Sequence, residues 1–249
     1  MLHVVDRLFS DATLAALYDP LCPRDQRADF DFYLPLIMSA KAVLDVGCGT
    51  GALLHEARAL GHAGRLCGLD PAPGMLAQAR TRPDIDWELG DLTSVAWTRE
   101  FDLIVMTGHA FQVLVGDEEL RGALTAVRAA LTDDGRFAFE TRNPLARAWE
   151  DWTPDNVTEL VAPQGDVVRL VRRVTAPFDG RTVSFTHTFT GAAWDRPEVS
   201  HSTLRFVGAQ ELSTFLAQAD FVIDDQFGDW DRQPLTDASP EIITIARAG

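Results

Sequence analysis

Residues 41–52 read Lys41-Ala42-Val43-Leu44-Asp45-Val46-Gly47-Cys48-Gly49-Thr50-Gly51-Ala52. A short apolar run of strand length ends here in an acid and three alternating glycines. The following GALLHEARALG, residues 51–61, has the pattern of an amphipathic helix closed by Gly61. Glycine lets the chain turn sharply and lets a ligand come close to the backbone. A helix N-terminus adds unsatisfied N–H groups. Strand, glycine turn and helix together make a nucleotide-type cradle. The cradle alone is ambiguous, because Gly47, Gly49 and Ala52 also satisfy the relaxed dinucleotide pattern G-x-G-x-x-G/A.

Working outward, the same alternation continues. RLCGLD (65–70) reads as a strand and PGMLAQAR (73–80) as a helix. IDWELGD (85–91) and FDLIVMTG (101–108) read as the third and fourth strands. DEELRGALTAVRAAL (117–131) is a long helix whose first-turn acids suit the positive end of the helix dipole. GRFAFETRN (135–143) is a fifth strand. This spacing predicts a Rossmann-like, doubly wound, mostly parallel α/β sheet, in which ligands bind beyond the carboxyl ends of the strands.

Upstream, residues 1–40 are expected to form a helical cap with Leu14, Leu17, Leu34 and Ile37 buried. Residues 41–249 are expected to form the main domain. After Asn143 the rhythm changes. VVRLVRRVTAPF and RTVSFTHTFT flank Asp179-Gly180, a hairpin signal, and STLRFV (202–207) reads as another strand. An antiparallel β insertion over about 150–207 is therefore expected. A helix at AQELSTFLAQAD (209–220) follows, then strands at FVIDDQF (221–227) and EIITIARA (241–248), the last antiparallel, which completes seven strands.

Composition narrows the function classes. The 249 residues carry a net charge of −15, and Lys41 is the sole lysine, so the basic face of a nucleic-acid binder is not expected. Arg169, Arg172 and Arg173 are the nearest thing to a cationic patch. Cys22, Cys48 and Cys67 are too few and scattered for a disulfide framework or a zinc site. The amino-terminal stretch is charged at Asp6, Arg7 and Asp11, unlike a signal peptide. No run reaches the length of a membrane span. A cytoplasmic protein without a membrane or metal partner is expected.

Further acids resolve the ambiguity of the cradle. Asp45 precedes the glycines, giving D-x-G-x-G-x-G. Asp70 closes the second strand, placed to accept from ribose hydroxyls. Asp91 closes the third, in Leu89-Gly90-Asp91-Leu92. This set, with the final hairpin of strands, resembles the class I S-adenosylmethionine-dependent methyltransferases over roughly residues 41–143 and 204–247. The resemblance implies that Asp45 organises the turn near the methionine end of S-adenosylmethionine. It implies that Gly47, Cys48, Gly49 and Gly51 line the cofactor and that Asp70 holds its ribose. Pro71 and Met75 would pack on the adenine, Asp91 and Leu92 would border it, and Thr107 and Gly108 would contact the methionine portion. Plainer roles stand beside these: Asp70 as a helix cap, Asp91 as a turn residue, Met75 as core and Cys48 as turn filler.

The acceptor side is less defined. Thr107-Gly108-His109-Ala110-Phe111-Gln112 departs from the Asn-Pro-Pro-aromatic motif common where adenine bases or glutamine side chains are methylated. It resembles the small-molecule N- or O-methyltransferases instead. His109 is placed to act as a base near neutral pH, or else is a turn histidine. Arg142 would meet a substrate carboxylate or phosphate, or form a structural salt bridge with Glu140 or another acid. Asn143, Tyr18 and Trp230 are further substrate candidates. The insertion and the helical cap either cover the pocket, with Tyr18 and Trp149 or Trp152 as lid residues, or the insertion forms a homodimer surface. Two competing functions are an NAD-dependent oxidoreductase, which shares the glycine turn and ribose acid, and a non-enzymatic S-adenosylmethionine-binding regulator.

Overall fold

The structure, a computed structural model, describes residues 5–249. The part of the expected amino-terminal cap at residues 1–4 lies outside the described residues. Short helices α1 (Arg7–Ser10), α2 (Ala12–Ala15) and α3 (Tyr18–Leu21) lead into α4 (Ala28–Ser39). Leu14, Leu17, Leu34 and Ile37 are all buried.

The main sheet has seven strands. β1 (Ala42–Val46), β2 (Arg65–Asp70), β3 (Asp86–Leu89), β4 (Phe101–Met106) and β5 (Leu131–Arg142) run parallel. β10 (Phe221–Phe227) and β11 (Glu241–Ala248) complete it in the order β10-β11-β5-β4-β1-β2-β3. β11 pairs antiparallel with both β5 and β10, so it is the one strand reversed. Helices α5 (Ala52–Ala59), α6 (Pro73–Ala79), α7 (Asp117–Ala130) and α8 (Ala209–Gln218) connect and cover the strands. Strand order reverses between β1 and β4, which opens the crevice where α/β sheets bind ligands.

The core lies on both faces of the sheet. One layer joins Leu44, Ile104, Phe137 and Phe139 to Leu124, Leu212 and Phe215 of α7 and α8. The other packs Phe30, Tyr33 and Ile37 of α4 and Leu53 of α5 on Val43, Val105 and Ile243. Both faces being covered is why the central strands read as unbroken apolar runs. Leu131 differs from the sequence reading: it opens β5 instead of closing α7, with extended backbone at φ −74° and ψ 141°.

The insertion is a separate four-stranded antiparallel meander: β6 (Val157–Val161), β7 (Val167–Ala176), β8 (Thr182–Gly191) and β9 (Glu198–Arg205). β6 precedes the strands expected from sequence. The Asp179 carboxylate accepts from the amides of Arg181 and Thr182, and Gly180 sits at φ +99°, which makes the turn between β7 and β8. Val183, Phe185, His187 and Phe189 are buried along β8, the face expected from their alternation. Val168, Leu170, Leu160 and Phe189 pack against Leu8, Leu14 and Leu17 of the amino-terminal helices. One face of the insertion is thereby spent on the cap. Arg205 ties the insertion to the main domain: it is 1% exposed and pairs with Asp117 of α7 and Glu211 of α8 at 2.8 and 2.9 Å.

Candidate active site

The glycine turn follows β1. Gly47, Gly49 and Gly51 all take positive φ, the left-handed region that favours glycine. Their surroundings differ. A Cβ at Gly49 would meet nothing within 4 Å, whereas one at Gly51 would lie 2.4 Å from the Trp87 ring. Gly49 therefore borders open space, while Gly51 is required by packing. Cys48 is buried against Leu76, Ala79 and Trp87, and burial holds its thiol well above the usual range, so it fills the turn and is no nucleophile.

Asp70 fastens this turn. One carboxylate oxygen accepts from the Gly49 amide and the other from the Ala72 amide, both at 2.8 Å. It is thus both a loop anchor and the acid at the strand end, with lone pairs left on each oxygen. Burial raises its pKa, and those two amides oppose the rise. Asp45 is 1% exposed, and its Oδ1 is a buried acceptor without a partner among the described residues. Burial, then the neighbouring Asp70, push its pKa up to about 7. A buried orphan acceptor beside an open glycine is what a polar, partly cationic ligand would satisfy. The residues present fit S-adenosylmethionine in this respect.

Other expected cofactor residues are placed differently. Asp91 Oδ1 accepts from the Thr93 amide and hydroxyl and from the Ser94 amide, so it makes the turn after β3. Those bonds pull its pKa down against the opposing effect of burial. Leu92 belongs to the main core. Met75 packs with Ala15, Ala72 and Tyr18, and Pro71 is exposed. Thr107 is buried at the end of β4, and Gly108 has φ +65°, with the Tyr18 hydroxyl 3.5 Å from where a Cβ would stand. Tyr18 therefore reaches the same strand ends from the cap. The Thr50 hydroxyl donates to Asp19 at 2.7 Å, which binds the cap to the glycine turn.

His109 follows Gly108, itself at φ +63°. Its amide donates to Glu140 Oε1 at 2.7 Å, and its Nε2 lies 3.0 Å from Glu241. The Tyr33 hydroxyl donates to Glu140 Oε2 at 2.5 Å. Glu241 and Arg142 face each other across β11 and β5. Burial first, and the Arg142 charge second, lower the His109 pKa against the pull of Glu241. Neutral imidazole at neutral pH is the result, with Nε2–H assigned as the donor to Glu241 and Nδ1 left as the acceptor. Burial pushes Glu140 up to about 8.

Arg142 does not pair with Glu140. Its Nη1 donates to Gln112 Oε1 at 2.9 Å, and its guanidinium lies over the Trp152 ring. Asn143 is a correction to the sequence reading: it is buried, and its side chain donates to the Ser239 carbonyl and accepts from the Leu145 amide, so it fastens the turn after β5. Trp230 is another, since its ring packs on Phe32 and Tyr33 of α4. The sequence reading missed Glu241 and the Tyr33–Glu140 pair. A cleft of 520 Å³ beside Lys41, Glu100 and Asp102 lies at the amino-terminal ends of the strands, and its Asp102 is spent on the Lys41 and Ala42 amides.

Comparison with known proteins finds methyltransferases similar to this chain. Residues 43–135 match the family model described as a methyltransferase domain. A curated relative, dTDP-3-amino-3,6-dideoxy-alpha-D-glucopyranose N,N-dimethyltransferase of Streptomyces fradiae, is 32% identical over 51% of this chain. The match spans about half of that relative, 46% of its length. The CcbJ methyltransferase from Streptomyces caelestis superposes with a TM-score of 0.77 over 98% of this chain and 100% of its own, at 19% identity. S-adenosylmethionine-bound CalS10, an amino pentose methyltransferase from Micromonospora echinaspora, superposes with a TM-score of 0.66 at 25% identity, covering 89% of this chain and 90% of its own. With the glycine turn, its strand-end acids and the reversed last strand, these likenesses show a methyltransferase-like fold, with residues 43–135 similar to a methyltransferase domain.

Proposed function

We propose that this protein transfers a methyl group from S-adenosylmethionine to a nitrogen or oxygen of a small molecule. The observation that carries the reading is the pairing of a cofactor cradle with a histidine at the next strand end. Asp45 Oδ1 and Gly49 border the cradle, and His109 is held neutral by burial while Glu241 orients its ring. Bound S-adenosylmethionine supplies a methyl group already activated on a sulfonium. Asp45, Asp70 and the Gly47–Gly49 backbone would hold it.

The chain's own residues then need mainly to align the acceptor and remove its proton. Positioning alone can contribute roughly 7–11 kcal/mol in favourable cases. Nδ1 of His109 accepts a proton from the acceptor nitrogen or oxygen, while Glu241 fixes the ring through Nε2 and stabilises the charge that forms. Glu140 holds the His109 backbone in its left-handed turn, and Tyr33 pins Glu140. Tyr18 and the insertion close the site against water.

The test is a screen of small amines and alcohols with methyl-labelled S-adenosylmethionine, using wild type and His109→Ala. Label transfer that falls about 10²-fold or more in the variant, with the acid-side limb of the pH profile reshaped, supports the base role. Equal turnover across pH would remove His109 from the chemistry. Tight NADH binding without S-adenosylmethionine binding would move the protein to the oxidoreductases.

We also propose that a second copy pairs through the outer face of the insertion, where Val157, Val161 and Val167 are exposed. Sedimentation velocity reading only a monomer would remove that. No helix among the described residues is long and apolar enough to cross a membrane.

A further inference from the structure

Acids outnumber cations 37 to 22 in this chain, so carboxylates to pair with a guanidinium are plentiful. Two arginines withdrawn from water nonetheless lack one. Among the described residues, Arg142 makes a single side-chain hydrogen bond, to Gln112, and Gln112 is itself fixed by its bond to the Arg205 carbonyl at 2.8 Å. The acids nearest to Arg142 are already committed: Glu140 to Tyr33 and the His109 amide, Glu241 to the His109 ring.

Arg172 stands on β7 directly opposite His187 on β8. Its Nε donates to His187 Nε2 at 3.2 Å, its one side-chain bond among the described residues. A guanidinium can only donate, so Nε2 is the acceptor and the proton of His187 sits on Nδ1. That Nδ1–H is buried without a partner. Burial and the Arg172 charge push His187 down to about 3, so the ring stays neutral and keeps this tautomer.

These groups belong to one wall. Arg142 lies over the Trp152 ring at 5.6 Å, Trp152 packs on Phe185 at 4.5 Å, and Phe185 meets the edge of His187 at 5.1 Å. The wall joins the end of β5, beside His109, to the insertion. Burial lowers the pKa of both arginines; at Arg142 the Glu241 and Glu140 charges oppose this and the Arg172 charge adds to it. Neither guanidinium donates to a carboxylate among the described residues, so each is a partly buried cation that a bound anion would stabilise.

We propose that the acceptor carries an anionic group, a carboxylate or a phosphate, held between Arg142 and Arg172 with the His187 Nδ1–H as a third donor. The group anchors the acceptor at the insertion side while its nitrogen or oxygen lies toward His109. This proposal rests on the reading of this edge as the acceptor side of a methyltransferase. It assigns the insertion a part in choosing the substrate as well as in covering it.

The test titrates the protein, with and without S-adenosylhomocysteine, with methyl phosphate, propionate and the neutral propionamide, followed by ligand-observed NMR. At least one anion is expected to bind while propionamide does not. Arg142→Gln and Arg172→Gln are each expected to weaken that anion about tenfold or more, with Arg172→Lys intermediate. Preference for methyl phosphate identifies a phosphorylated acceptor, and preference for propionate a carboxylate-bearing one. The proposal is overturned if neither anion outbinds propionamide, or if both glutamine variants, folded by circular dichroism, bind it as wild type does. Failure of S-adenosylhomocysteine to bind would sink the methyl-donor reading instead. The anion titration without it would still decide the role of the arginines.

Discussion

Asp45 is the residue where burial and function meet most directly. Its carboxyl is pushed up to about 7, so part of it holds a proton at neutral pH. A cationic ligand group at Oδ1 requires the carboxylate. S-adenosylmethionine affinity is therefore predicted to rise between about pH 6 and 8, with proton release on binding. Asp45→Asn should flatten both, as read by calorimetry in buffers of different ionisation enthalpy. Glu140 makes the opposite demand. Its folded pKa of about 8 stands above the ordinary 4.5, so the native state holds a proton that the unfolded chain has lost. Stability from this group is full below pH 4.5 and is lost as pH rises toward 8, by at most about 1.4 kcal/mol per unit. Urea denaturation of Glu140→Gln should show a flatter profile than wild type from pH 5 to 8. A parallel profile would mean that Glu140 is ionised in the fold. Asp45 was legible in the sequence because it leads into the glycine run, and Asp70 because it closes the second strand. Tyr33–Glu140 and His109–Glu241 were not, because the partners lie 107 and 132 residues apart and only the fold brings them together.

At the scale of elements, the glycine turn is held from outside as well as inside. Gly51 caps α5 at φ +74° with Trp87 of β3 pressed on its Cα. Gly51→Ala adds a Cβ where both backbone and ring forbid it. A loss of about 2–4 kcal/mol is expected, read by denaturant midpoint. A midpoint within about 0.5 kcal/mol of wild type would show that the β1–α5 turn relaxes freely. Strand and helix alternation carried the five parallel strands and the final pair into view, since the central runs are apolar and the runs are separated by turn residues. The insertion was legible as antiparallel from the alternation in β8. Its first strand, Val157–Val161, was less so, because that run is short and Leu160 is its one buried residue. Which face of the insertion meets the cap could not be read, since that depends on Leu8, Leu14 and Leu17 arriving from the other end of the chain.

Across the whole molecule, three parts meet at one edge: the cradle and strand ends, the cap carrying Tyr18, and the insertion carrying Arg172 and His187. Asp19–Thr50 and Arg205 with Asp117 and Glu211 are the ties that hold the outer parts in place. The proposed small-molecule site lies at the topological switch point of the sheet, on a chain whose overall negative charge disfavours polyanions. The account depends on that edge binding the methyl donor. Calorimetric titration of S-adenosylmethionine and S-adenosylhomocysteine into wild type and Asp70→Ala tests it most directly. Saturable binding of both ligands to wild type is predicted, weakened about tenfold or more in Asp70→Ala, where the anchor of the Gly49 and Ala72 amides is lost. Folded wild-type protein that binds neither ligand would contradict the account.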